Sequence, residues 1–512
     1  STSSEERSAS EEIAEETEGV AYPIEGAGTL SYGFTMSSRW SEYYEYWDET
    51  PIGQELEAST GVDLDMVHVA DKTAMNLLLA SGELPDIITY NFANNYTGGN
   101  EKAMSDGLIY QMTEDFVQTY APDYWQFLED NPDIMRQVKT SDGSIFGFCF
   151  ALTGADNLSQ QGLIVRGDWL DTLGLDEPET ADEFKEMLSL FKSEMGAQIP
   201  LELTASTLNS VMRNGYITTP FNLVCMGEYQ IDGTVHVGYA EQEFKDVLQW
   251  LHELYEEGLL DPNFATVDTD TVNANMSTGA AGASQGAATS GIKTWMDAAG
   301  SAVEEEGFSL IGIKGLVANA GDVPLYGHLN YSVPGNMSVI SSMCSDPVTA
   351  AQYFNYGYTH AGYMLYNYGI EGVTYIADGN YNYVSVTEEV ANGDIDTAFY
   401  TLSYGNGPFE ACPPDYSSYL YQEMADARQV AWVQHTASEY QYPNVSVSSE
   451  YSNEYSNLVS ELETYRDEMI IKFVRGDESL DNFDDYLNTL ESIGMSRYIE
   501  MLQNAADEYY AK

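Results

Sequence analysis

Residues 81–96 read SGELPDIITYNFANNY. Ser81 and Gly82 close a helix, and 86–90 form a short buried strand. The strand runs directly into Tyr90, Asn91, Phe92, Asn94, Asn95 and Tyr96, amides and rings with no charge among them. A plain surface turn would carry Gly, Asp, Ser or Lys. Amides beside flat apolar faces suit a neutral, polyhydroxylated ligand; an Asn-rich loop between strand and helix is the structural alternative.

Working outward, DKTAMNLLLASG (71–82) is the helix before this strand, GVDLDMVHV (61–69) the strand before that helix, and TLSYGFTM (29–36) an earlier strand. Short apolar runs alternating with amphipathic helices indicate an α/β fold. Thr180 and Glu183 form a capping box ahead of a helix whose Phe184, Met187, Leu188 and Phe191 share one face. A second helix runs from about 241 to 257, with Phe244, Val247, Leu248, Leu251 and Leu254 inward and Gly258 as its stop. The last ninety or so residues are mostly helical, and LVSELETYRDEMIIKFVRG ends at Gly476. The stretch ANMSTGAAGASQGAATSG (274–291) is too apolar for a linker and too poor in large side chains for a core strand, so close backbone approach or a hinge is expected there.

The chain of 512 residues is long enough for two or three cores, and no apolar run is long enough for a membrane span. Its 82 acids against 19 Lys and Arg give a formal charge of −63. Such a surface repels phosphate backbones and anionic lipid, which excludes nucleic acid and direct membrane binding. It also disfavours polyanionic substrates unless a local basic patch overrides the field. Cys149, Cys225, Cys344 and Cys412 have no metal-binding spacing and read as buried thiols, with up to two bridges as the alternative. Residues 1–19 hold seven Glu, one Arg and no ring, the composition of a solvated tether, compatible with either a processed exported protein or a solubilising tail.

Catalytic motifs fare poorly. GASQG (282–286) fits a nucleophile elbow in letters, but Gly and Ala on both sides deny it the strong strand and following helix that the elbow requires. HELYE (252–256) has Glu256 where a zinc helix needs its second His. The seven tyrosines of 353–375 make an aromatic-lined cleft plausible beside ordinary packing roles.

Several stretches together resemble the extracellular solute-binding proteins of family 1, the substrate-capturing components of carbohydrate ABC transporters, in the large lipoprotein subgroup of Gram-positive bacteria. STGVDLDMV is similar to the family's TGV strand entry and LLASGELPDII to its ASG-x-x-PDI signature. YAPDYWQFLEDNPDIMRQVKTSDGSIFGF follows the subgroup pattern, and LIVRGDWLDTLGLDEPETADEF is the most specific match. NYGIEGVTY and the terminal KFVRGDESLDNFDDYLNTLESIGMSRYIEMLQNAADEYY complete a series over about 480 residues.

The resemblance implies a two-lobe periplasmic-binding-protein (venus flytrap) fold, similar to maltose-binding protein, with a C-terminal helical extension. It implies an acidic tether at 1–26, an N-terminal lobe of 27–150 plus 282–327, and a C-terminal lobe of 151–281 plus 328–512. Crossings are expected at 148–153, 274–284 and 325–334. The implied function is capture of a neutral oligosaccharide for an ABC importer, with no catalytic residues, metal or cofactor. The expected partners are the glycan and the membrane permease, and the expected state is a monomer on the cell surface, anchored through a lipid that this chain does not carry. Peptide or amino-sugar binding on the same fold, and a secreted glycoside hydrolase or lyase, are the alternatives. The implied ligand residues are Ser38, Arg39 and Trp40 after the first strand, Tyr90, Asn91, Asn94, Asn95 and Tyr96 in the opening stretch, Trp295 as a stacking ring, and Tyr331 and Tyr368.

One departure from the subgroup matters. Where many members carry a calcium loop rich in Asp and Asn, this chain reads FKSEMGAQIPLEL (191–203), and Glu194 cannot replace the lost oxygens. Chelation is therefore expected to leave the melting temperature nearly unchanged, because a metal bound only to the folded chain would raise it. A large chelator-induced fall in a thermal melt would show a calcium site built from other oxygens.

Overall fold

The structure is a computed structural model that describes residues 19–511 apart from Ser37, Thr97, Ser141, 378–383, 403–406, 412–421, Ser446 and Ser449. Its strands are β1 Thr29–Thr35, β2 Asp63–Val69, β3 Ile87–Tyr90, β4 Phe148–Cys149, β5 Ala151–Leu152, β6 Gln161–Arg166, β7 Ile199–Leu201, the hairpin β8 Glu228–Ile231 and β9 Thr234–Val237, β10 Ala281–Ala287, β11 Leu310–Ile313 and β12 Met337–Ile340. β1 to β3 are joined through helices, which lets β1 run parallel to both of its neighbours. Five strands make the first sheet in the order β2-β1-β3-β12-β4, and four make the second in the order β11-β6-β10-β7.

β12 is antiparallel to both β3 and β4, with Met337 opposite Tyr90 on one side and Cys149 on the other. A buried hydroxyl chain stitches the same strands: Tyr32 Oη lies 2.6 Å from Thr89 Oγ1, which lies 2.6 Å from Ser338 Oγ. Each hydroxyl thereby has a partner where water is absent. Burial pushes the Tyr32 phenol up to about 12.

The sheets and their cores group residues 29–149 with 337–411, and 161–313 with 422–511. The chain crosses between lobes at 150–160, again at 314–336 and a third time between Ala411 and Gln422; the expected crossing at 325–334 falls in a connecting segment, while that at 148–153 overlaps β4 of the first sheet. Other expectations are corrected. Residues 274–284 are no crossing: they are the end of the helix Thr269–Thr278 and the start of β10 in the middle of the second sheet. Of the 282–327 expected in the N-terminal lobe, β10 and β11 instead pair with β6. Of the 328–512 expected in the C-terminal lobe, 337–411 belong with the first sheet.

The physical reason is steric. A Cβ on Gly282 would meet Phe191 at 2.6 Å and Trp169 at 3.1 Å, and one on Gly162 would meet the Trp432 ring at 2.2 Å. The small residues are what a strand needs when large rings lie flat on it, so a Gly/Ala/Ser-rich stretch is core here. Ser284, the serine of GASQG, is buried mid-strand and donates to the Glu202 carbonyl. His252 of HELYE bonds the Val474 carbonyl oxygen through Nδ1.

The helices follow their sequence signals. Ala181–Ser193 starts at the Thr180–Glu183 capping box, and Ser452–Arg475 ends at Gly476 with φ +74°. Cys149 and Cys225 are buried free thiols and Cys344 is half-buried, while Cys412 lies outside the described residues. Among the described residues no helix is long and apolar enough to cross a membrane.

Beside β7, Glu202 is fully buried. Its Oε1 accepts from Asn275 Nδ2 at 2.7 Å, and its Oε2 has no hydrogen-bond partner. Burial, with repulsion from Asp261, raises its carboxyl from 4.5 to about 7. A carboxyl with a raised folded value favours the fold below its unfolded value and loses that contribution as pH rises through the folded one. Stability should therefore decline between about pH 4.5 and 7 and level off above, by at most about 3 kcal/mol from this group. Glu202→Gln should be more stable than the parent at pH 8 and close to it at pH 5; urea melts at both values check this, and equal differences at the two would refute it.

Candidate functional site

β1, β3 and β4 end at one edge of the first sheet, and β12 begins there. The crossings at 150–160 and 314–336 attach at this edge, so it is the edge turned toward the second lobe. Loops at the carboxyl ends of sheet strands are where open α/β sheets hold ligands.

The opening stretch sits on this edge, and its residues divide. Tyr90 is buried and donates to Asn76 Oδ1 at 3.1 Å. Asn91 caps the short helix Phe92–Asn95, its Oδ1 accepting from the Asn94 backbone N at 3.0 Å. Tyr96 donates to Asp106 at 2.7 Å. Lys102 first, then Tyr96, holds the Asp106 carboxyl below the usual range. Asn94 is left exposed and Asn95 half-buried. Part of the unusual composition of 90–96 is thus structural.

The helix Ser38–Ser41 follows β1 on the same edge. Trp40 is fully buried and its indole N–H donates to the Ala398 carbonyl at 2.5 Å, so it is an anchor rather than a ligand ring. Ser38 and Arg39 are described in their backbone only. Tyr331, in the second crossing, donates to the Tyr442 carbonyl at 2.9 Å. Tyr368 packs near Tyr363 and Tyr375 at 6.4 and 6.0 Å.

The expected stacking role of Trp295 is corrected. The ring is 3% exposed in a core with Ile164, Met276 and Phe308, and its N–H donates to Asn273 Oδ1 at 2.7 Å. An indole with both faces packed and its one donor satisfied has no surface to offer a sugar. The shared edge therefore assembles 38–40, 91–96 and the Tyr331 crossing, and leaves out Trp295.

A cavity of about 690 Å³ lies between the lobes and takes Asn94, Lys102, Arg136, Asn444, Ser448 and Tyr509 among its lining. Arg136 of the first lobe stands over the Tyr509 ring of the second, 5.8 Å from its centroid. Its three cations are each paired: Lys102 with Asp106, Arg136 with Asp133 at 3.2 Å, and Lys139 with Glu114 at 2.7 Å.

The second sheet meets the crossing at Gln161, the start of β6. Gln285 Nε2 donates to Gln161 Oε1 at 3.0 Å, and Gln161 Nε2 lies 3.2 Å from His328 Nε2. Ser159 Oγ lies 2.9 Å from His435 Nε2. Burial first, then the neighbouring His435, pushes His328 down to about 4, so its ring is neutral at pH 7. No sequence signal marks these histidines, because the distances that join them to two glutamines are not written in spacing. Two π-helical turns, Ala288–Lys293 and Ala427–Ala431, adjoin the same core, and such turns favour functional positions. Among the described residues no group of three or more His, Cys, Asp or Glu is placed to hold a metal.

No family model matches the chain. Among curated proteins it is 27% identical over 240 residues to the polygalacturonan/rhamnogalacturonan-binding protein YtcQ of Bacillus subtilis, covering 45% of each chain. It is 26% identical over 260 residues to the fructooligosaccharide ABC transporter substrate-binding protein FusA of Streptococcus pneumoniae (48% of this chain, 47% of the relative), and 25% identical over 254 residues to lipoprotein LipO of Bacillus subtilis (46% of each). The matches thus span about half the length of these relatives. Among solved structures, a solute-binding protein of Bifidobacterium longum infantis associated with a human-milk-oligosaccharide ABC transporter superposes with a TM-score of 0.75 at 18% identity, covering 94% of this chain and 99% of that one. The alginate-binding protein AlgQ2 gives 0.69 at 21% identity, covering 96% and 100%. The fold is that of the two-lobe solute-binding proteins.

Because Trp295 is core, Trp295→Ala should cost about 3–5 kcal/mol of stability, whereas Asn94→Ala on the exposed edge should leave stability within about 0.5 kcal/mol. Urea unfolding of the two variants checks the assignment, and an unchanged midpoint for Trp295→Ala would return that ring to the cleft.

Proposed function

We propose that this two-lobe solute-binding protein captures a neutral oligosaccharide between its lobes and delivers it to an ABC importer, without chemical change to the sugar. The observation that carries the reading is the single sheet edge that faces the second lobe and bears exposed Asn94 beside half-buried Asn95 and Tyr96. Amide donors and acceptors suit sugar hydroxyls, and lobe closure of the kind known for periplasmic binding proteins excludes water from them. FusA, named for fructooligosaccharides, and the Bifidobacterium neighbour support the substrate class.

Relatives named for acidic glycans also occur, so charge decides between the classes. The formal charge of −63 repels a uronate, and the cavity that holds Lys102, Arg136 and Lys139 matches each with a carboxylate and adds Glu101 and Glu508. No local excess of positive charge offsets the field there. Acyl hydrolysis at Ser284, the one elbow-like serine, is disfavoured because it is closed inside a strand. The likeness to lipoprotein LipO of Bacillus subtilis supports a lipid-anchored protein on the surface of a Gram-positive cell; a monomer that meets the permease subunits completes the proposal.

Calorimetric titration against a panel of neutral oligosaccharides, an oligogalacturonate and short peptides tests the reading, with small-angle scattering and chromatography of the sugar alongside. The expected outcome is binding of a neutral class, compaction at saturation and no shorter products. Binding only to the uronate or to peptides, or release of cleaved sugar, would overturn it.

A further inference from the structure

Tyr43 is 70% exposed, more than any other large apolar side chain among the described residues. It sits just past the helix Ser38–Ser41, in the loop that follows β1 at the edge turned toward the second lobe. Its position is fixed from beneath. Trp40 and Trp47 are buried with ring centroids 6.4 Å apart, and Trp47 meets Phe34 of β1 edge to face at 5.5 Å. The backbone N–H groups of Tyr43 and Tyr44 both donate to the Trp40 carbonyl at 2.9 Å.

A second segment completes the feature. Phe399, at the end of the 3-10 turn Thr397–Phe399, receives Tyr43 and Tyr44 edge to face, at 5.2 and 5.4 Å. The bond from Trp40 to the Ala398 carbonyl locks this turn against the β1 loop. The same segment then runs to Glu410–Ala411, which pairs with β5 in the first crossing. Two chain segments and a bonded indole thus hold an exposed ring in a defined orientation on the ligand-facing edge. An aromatic ring exposed yet immobilised is poorly explained as packing, and is well suited to present a flat face.

We propose that Tyr43 is the stacking platform for one ring of the captured glycan, taking the apolar C–H face of a sugar that carries no negative charge. The inference rests on the oligosaccharide-binding reading and deepens it by naming a residue and a ring type. The charge preference comes from the neighbours: Glu42, Glu45 and Glu49 are exposed beside the platform, against Arg39 as the one cation between Ser37 and Thr50. Their carboxylates accept bonds from sugar hydroxyls and repel a uronate.

The test is calorimetric titration of the neutral oligosaccharide bound by the parent into Tyr43→Ala, Tyr43→Phe and Met343→Ala, with thermal melts alongside. Met343, 60% exposed, follows β12 at the opposite edge of the same sheet and serves as the control. Loss of a stacking anchor should weaken binding about tenfold or more in Tyr43→Ala, while Tyr43→Phe and Met343→Ala stay within about threefold and all melts hold. If Tyr43→Ala binds as the parent does, or weakens only together with its melting temperature, the platform is refuted while the oligosaccharide reading stands. If the parent binds no neutral glycan, both fall.

Discussion

β12 reaches the first sheet from the second lobe, and its hydrogen bonds to β3 and β4 are the constraint on which the arrangement rests. Its residues are buried, so the strand can enter only with every backbone group paired, which antiparallel contact on both sides provides. The hydroxyl chain through Tyr32, Thr89 and Ser338 adds a side-chain stitch at right angles to the strands. Because β12 begins where β3 and β4 end, the connections at 150–160 and 314–336 leave from one edge. That places the loops after β1 and β3 against the second lobe and gives the molecule a single face on which to hold a ligand.

The sequence disclosed what is local. β1, β2, β3 and the helices carry their own signals in periodicity and caps, and Thr180–Glu183 and Gly476 act as the chain predicts. Partner choice between strands is not local, and it was the membership of β10, β11 and β12 that sequence reasoning misassigned. A strand of Gly, Ala and Ser carries no hydrophobic signature of its own; it becomes core because Phe191 and Trp169 supply the bulk from outside. In the candidate site the position of the 90–96 loop was legible, while the division of its side chains was not. Asn91 uses its side-chain oxygen as a helix cap, and Trp40 and Trp295 have buried rings whose indole N–H groups each find an oxygen inside. Tyr43 lies three residues beyond the stretch singled out after β1, and only its exposure above Phe399 distinguishes it from Tyr44 and Tyr46 beside it.

Charge is distributed with similar economy. With 19 basic residues against 82 acids, many of the described cations are placed where a carboxylate meets them, as at Lys102, Arg136 and Lys139, or sandwiched between rings. Arg166 is held by Asp168 and lies 4.2 Å from the centroids of both Trp169 and Phe308. An exposed pair contributes little to stability, but a buried guanidinium left alone would cost a great deal. The polar cluster where the second sheet meets the crossing solves the same problem without charge, using two glutamines and a neutral imidazole.

The threading of β12 has a consequence for how the protein is made. The whole of the second sheet, from β6 to β11, is synthesised before the strand that joins β3 to β4. Until then the nascent first lobe presents two open strand edges, apolar and ready to pair with any passing chain. Pairings between residues so far apart in sequence also close slowly. The first lobe is therefore the first to be begun yet stays open until after the second sheet is made, and a ribosome paused before residue 337 carries an adhesive half-sheet exposed to aggregation.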